Sequence, residues 1–146
     1  MKLEVHIDPA LTEPRVEVYA PARTPEIDAL LDRLAAGDAP LLGFRPDGAA
    51  VPLDPEEVLR FYGEAKEVLA QTAEAVYTVR ERLYELEQRL AAKRFVRISH
   101  SEIVNLRKVT ALDLSLTGTI RMTLSGGVTV YVSRRYVKKI KEVLGL

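Results

Sequence analysis

Apolar and polar residues alternate in "LEVHID" (3–8) and again in "RVEVYA" (15–20), the period of a strand with one covered face. The Pro-bounded "PALTEP" between them predicts a hairpin. The period then lengthens. "TPEIDALLDRLAAGD" (24–38) sets Ile27, Leu30, Leu31 and Leu34 on one helical face, with Thr24 as cap, Pro25 at the first helical position, Glu26 and Asp28 toward the positive end of the dipole, and Gly37 as the stop. A ββα unit of this size cannot enclose a core alone, so it is expected to pack on the rest of the chain or on a second copy.

Strand signals return from "LLGF" (41–44), through the turn "RPDG", to "AAVPL" (49–53), "VLRFYGE" (58–64), "EVLAQT" (67–72) and "AVYTV" (75–79). "RERLYELEQRLAAK" (80–93) has a helical period, with Leu83, Leu86 and Leu90 inward and Glu81, Glu85 and Arg89 outward at pairing distance. "FVRISHSEIVNLRKV" (95–109) begins as a strand and then crowds donors between apolar residues. "VTALDLSL" (109–116), "TIRMTL" (119–124) and "VTVYVS" (128–133) are separated by "TG" and "SGG" turns and predict an antiparallel meander. "RRYVKKIKEVLGL" closes the chain as a helix burying Tyr136 or Val137, Ile140, Val143 and Leu144. The division expected is an N-terminal extension, 1–38, and a mostly β domain of α+β class with small antiparallel sheets, 39–146.

Charge changes this picture. Residues 1–92 hold 10 Lys/Arg against 18 Asp/Glu, net −8, whereas residues 93–146 hold 11 against 3, net +8, so the overall zero conceals a sorted distribution. One explanation is two halves attracting each other across an internal interface. The other is a basic face for an external polyanion, with the acidic half suppressing loose binding elsewhere. Without cysteine there is no disulfide framework and no thiolate chemistry, which suits a reducing cytoplasm. The start lacks the basic-then-apolar order of a signal peptide, and no apolar run nears the ~20 residues of a membrane span. A soluble cytoplasmic protein is expected.

Enzymatic chemistry finds little support. His6 and His100 have no metal-binding spacing, the glycines of "SGGV" and "LTGT" join strand to strand without the Lys-Ser/Thr of a phosphate loop, and the acids of "DPEEV" suit an element's entry. No metal, cofactor or catalytic set is expected. Arg134 and Arg135, by contrast, stand where cations oppose a helix dipole, directly after Ser133, a residue suited to cap the final helix. An anion nearby resolves that conflict: either an acid from the front half or a phosphate, and an Arg there can also grip guanine O6 and N7. "RISHS" supplies hydroxyls and an imidazole for phosphate oxygens or base edges, although Ser99, Ser101 and Asn105 equally suit a bend or a turn cap.

"FVRISHSEIVNLRKVTAL", preceded by "YELEQRL" and followed by "VYVSRRYVKKIKEVL", resembles the LytTR family of bacterial DNA-binding domains. The resemblance implies a mostly β fold in which loops and strand ends, rather than a recognition helix, read double-stranded DNA. It implies DNA contacts at His100 and Arg135, with Arg97, Ser99, Asn105 and Arg134 nearby, and a third contact from the loop in "RFYGEAKEV", where Lys66 is the candidate. That loop carries Gly63, Glu64 and Glu67 where family members often have Asn or Tyr. Lys138 and Lys139 on the final helix add cations for phosphates. The short N-terminal portion resembles stand-alone members without a receiver domain, and the ββα unit is expected to brace the domain or to join two copies into a homodimer on two half-sites. Beside this transcriptional reading stand two others: an RNA-binding module, which lacks the interleaved aromatics of a stacking platform, and a protein-interaction adaptor using the same basic face.

Overall fold

The computed structural model describes residues 1–36 and 40–146. Gly37, expected to stop the first helix, lies outside the described residues. Helix α1 runs Pro25–Ala36, and Thr24 caps it as expected, its hydroxyl accepting from Ile27 N–H at 3.3 Å. Ahead of it the expected hairpin is not formed. Residues 1–20 carry no strand ladder and are exposed throughout. Two strands alone are marginal in water, and among the described residues nothing covers their apolar face.

Ten strands follow, in two sheets. The larger takes β1 (Leu41–Phe44), β2 (Ala50–Leu53), β3 (Val58–Glu64), β4 (Glu67–Thr72), β5 (Val76–Val79), β6 (Phe95–Ser99) and β7 (Glu102–Asn105), in the order β2-β1-β5-β4-β3-β7-β6, every neighbour pair antiparallel. The smaller is the expected meander of β8 (Val109–Asp113), β9 (Ile120–Leu124) and β10 (Val128–Val132). Helix α2 is Leu83–Arg89, shorter than the period from 80 to 93 suggests, because a 3-10 turn at Ala91–Lys93 and a left-handed Arg94 (φ 66°) end it. Arg89 pairs with Glu81, while the Glu85 carboxylate turns back to accept from Arg82 N–H at 3.0 Å. Helix α3 is Val137–Leu144, entered through a 3-10 turn at Arg134–Tyr136.

The large sheet is buried on both faces at its centre. On one face Leu86 of α2 and Leu90, which caps it, pack on Val58, Phe61, Ala70, Phe95 and Ile103, with Leu83 alongside. On the other face the small sheet and Ile140 of α3 cover Leu59, Ile98 and Val104. This explains why Ile103 and Val104 are consecutive and both fully buried: successive residues of β7 serve opposite cores. A register shift between Val58 and Arg60 lets Val58 and Phe61 share the α2 face while Leu59 enters the second core. On α3, Ile140 is buried as the period implies, but Val143 is exposed, since the small sheet reaches only the stripe through Tyr136, Val137, Ile140 and Leu144.

Candidate nucleic-acid interface

Three chain reversals meet at one end of the large sheet. β3 and β7 run antiparallel with Tyr62 opposite Glu102, so the β3–β4 hairpin tip and the β6–β7 turn lie at the same end. Gly63 N–H donates to the Ser101 carbonyl at 2.9 Å and ties them together. Ser133 N–H donates to the Ile98 carbonyl at 2.8 Å, which brings the end of β10, and the 3-10 turn holding Arg134 and Arg135, against the last residues of β6.

Each reversal presents a candidate residue. Lys66 sits at the hairpin tip, exposed, in a two-residue turn whose Ala65 (φ 50°) and Lys66 (φ 67°) are both left-handed. Such turns match the twist of a hairpin, but they usually recruit Asn and Gly. His100 is exposed at the β6–β7 turn, and the neighbouring Ser99 hydroxyl accepts from Ser101 N–H at 3.2 Å, holding the bend. Arg134 and Arg135 are exposed. A side chain added at Gly118 in the β8–β9 turn would come within 3.2 Å of Arg134 Nε, so this guanidinium rests against glycine backbone where φ is 75°. Lys138 and Lys139 continue the basic segment on the exposed side of α3.

Two expected contact residues are used inside the fold instead. Asn105 is 1% exposed; its amide donates to the Val58 carbonyl at 2.9 Å, and its oxygen accepts from Arg107 N–H at 3.0 Å. It joins the β7 exit to β3 and has no surface to offer. Arg97 is largely covered too, its side chain 11% exposed. Its guanidinium donates to Glu87 of α2 at 2.9 Å, to the Ser99 carbonyl at 2.9 Å and to the His100 carbonyl, so it clamps the turn that presents His100. Ser133 forms no side-chain cap; its carbonyl instead accepts from Tyr136 N–H at 2.8 Å, closing a 3-10 turn.

The sorted charge resolves both ways. Arg97, Arg107 and Lys108 pair with Glu87, Glu56 and Glu57 of the acidic half, at 2.9, 3.5 and 4.0 Å, so part of the asymmetry is internal attraction. Arg121 pairs with Asp113 at 2.8 Å. Among the described residues, Lys93, Arg94, Arg134, Arg135, Lys138, Lys139 and Lys141 have no carboxylate partner, and five of these seven fall between 134 and 141. Sequence reasoning missed Arg60, which stands on β3 opposite Val104 of β7, donating to Gln71 and Glu102 at 2.7 Å each and stacking 4.1 Å from the Tyr62 ring centre. The like period of Arg60 and Tyr62 was the available signal.

A small β domain with strand-end turns and five unneutralised cations between 134 and 141, two of them in a turn tied to the end of β6, has the form of a nucleic-acid-binding domain. The family model of the LytTr DNA-binding domain matches residues 48–145, and the chain belongs to that family. Proteins of Staphylococcus aureus, in strains MSSA476 and MW2, are each 34% identical over 148 residues, spanning 100% of this chain and 99% of their own length; both are described as uncharacterized HTH-type transcriptional regulators. Among the described residues here, strands separate each α-helix from the next, so no helix-turn-helix pair is present. A solved LytTr DNA-binding domain from Bacillus cereus superimposes with a TM-score of 0.71 at 24% identity, over 75% of this chain and 100% of that one. No helix among the described residues is long and apolar enough to cross a membrane.

Proposed function

We propose that this chain is a cytoplasmic transcriptional regulator that binds double-stranded DNA sequence-specifically through the edge formed by Lys66, Ser99, His100, Arg134, Arg135, Lys138 and Lys139. The observation that carries the proposal is the meeting of the His100 turn with an exposed, acid-free Arg134–Arg135 pair, held by the bond from Ser133 N–H to the Ile98 carbonyl. His100 and Arg135 discriminate bases, because a guanidinium can bond two acceptors of guanine and an imidazole one acceptor of a purine. Lys138, Lys139 and Arg134 meet phosphates and displace condensed counterions, which sets affinity and its salt dependence. Arg97 and Asn105 act from beneath by fixing the turn and the strand exit. Two copies occupy two half-sites. Control by a phosphoacceptor domain is not part of this reading; support comes from the Staphylococcus aureus relatives, which are matched over 99% of their own length.

The test begins with selection of bound sequences from a random duplex pool. Arg135→Ala then lowers affinity for the selected site by ~1–3 kcal/mol and relaxes preference at one position, whereas Lys139→Ala weakens selected and random duplexes alike. Equal losses on both duplexes for both variants contradict the assignment. Preference for single-stranded RNA over duplex in competition would favour an RNA-binding module.

A further inference from the structure

The N-terminal residues that form no ladder within one copy have an internal symmetry. Residues 2–8 read Lys-Leu-Glu-Val-His-Ile-Asp, charged or polar at even positions and apolar at odd ones. The backbone already displays this alternation: Lys2 and His6 lie against Glu4 at 2.9 and 3.5 Å, so the even side chains share one side. Leu3, Val5 and Ile7 are 84, 76 and 86% exposed. A row of three bare branched side chains on an extended segment with free backbone donors and acceptors is an open template for another strand.

We infer that residues 2–8 pair antiparallel with residues 2–8 of a second copy about a two-fold axis at Val5, and that this ribbon joins the homodimer. The charges select this occupant. In that register Lys2 faces the partner's Asp8, Glu4 faces the partner's His6, Leu3 faces the partner's Ile7, and Val5 faces the partner's Val5; each contact occurs twice, as an isologous interface requires. A shift by one residue sets apolar side chains opposite the wrong face, and a shift by two sets Lys2 against the partner's His6. Residues 15–20 lack such charge pairing: a two-fold at Glu17 opposes like charges, and one at Val18 sets Glu17 against Tyr19 with no opposite charge. Val18, Ala20, Ala22, Arg23, Ile27 and Leu31 line a separate open groove between α1 and the segment before it. The Staphylococcus aureus relatives match the full chain, this segment included. The inference deepens the homodimer part of the proposed function and is independent of whether the ligand is DNA.

The chain has no cysteine, which makes the register directly readable. The full chain without DNA is expected to sediment at twice the 16.3 kDa of one copy, and Val5→Asp, which sets two carboxylates face to face on the axis, to sediment as a single copy. Under mild oxidation Val5→Cys forms a covalent dimer, because the two sulfurs meet across the axis. Leu3→Cys, opposite the partner's Ile7, does not. Cooperative thermal melts show that the β domain of each variant is folded; residue 5 is 76% exposed and belongs to neither buried core cluster. A full chain that is monomeric at every concentration overturns the inference. So does a dimer indifferent to Val5→Asp, or equal cross-linking from positions 3 and 5. Failure of the DNA reading leaves a different signature: a Val5-dependent dimer that binds no duplex.

Discussion

Arg97 separates a residue that touches DNA from one that shapes the surface touching it. Arg97→Met keeps the aliphatic stem and removes the guanidinium that bonds Glu87 and the carbonyls of Ser99 and His100. Hydrogen bonds from a charged donor contribute ~1.5–3 kcal/mol each, and the two turn carbonyls give about 3 kcal/mol at the lower end of that range. The Glu87 carboxylate is 35% exposed, so solvent screening reduces the ion pair to about 0.5 kcal/mol. A destabilisation of about 3–4 kcal/mol is expected in urea unfolding at unchanged m-value. Duplex affinity falls as well, because the His100 turn loses its clamp. The decisive quantity is the slope of log affinity against log salt. A residue that neutralises a phosphate removes ~0.9 from the slope when lost; an organising residue leaves the slope unchanged. Wild-type stability combined with a slope lowered by about one unit would refute the reasoning and return Arg97 to the surface.

Three further outcomes follow from the same geometry. Asn105→Ala strips partners from the Val58 carbonyl and Arg107 N–H and costs ~2–4 kcal/mol in denaturant unfolding, again with an unchanged salt slope for duplex binding. Lys66→Gly relieves a left-handed non-glycine residue and raises stability by ~1 kcal/mol while weakening duplex binding; a variant that loses stability would place the strain elsewhere. The Ser115 hydroxyl and backbone N–H, and more weakly Arg121, hold the Asp113 carboxyl below its ordinary value of 3.8. A depressed carboxyl stabilises the fold above its unfolded value and loses that contribution as pH falls through its folded one, so the melting difference between wild type and Ser115→Ala shrinks below pH 3.8 and not above it.

The β domain was legible because its patterns are local. "VLRFYGE" and "EVLAQT" become β3 and β4 without a residue's change, and Leu83, Leu86 and Leu90 face the core as their spacing requires. What sequence alone could not decide was which polar residues the packing would consume. Asn105 and Arg97 have the donor chemistry of DNA contacts, but β3 and α2, distant in the chain, present a bare carbonyl and a carboxylate to them. The N-terminal alternation is the opposite case: the pattern of a strand is genuine, yet among the described residues nothing covers it, and the ladder is missing. The final helix lost Val143 to solvent for a related reason, since the period defines a stripe wider than the sheet beneath it.

The central claim is that one edge, built from three chain reversals, grips a double helix. Titrating isotopically labelled protein with its selected duplex, and following backbone amide signals, tests it most directly. The account predicts that perturbations cluster at residues 65–66, 99–101, 134–135 and 138–139 and spare β1, β2 and the solvent side of α2. Signals moving instead on β1 and β2, or evenly across the molecule, would contradict it.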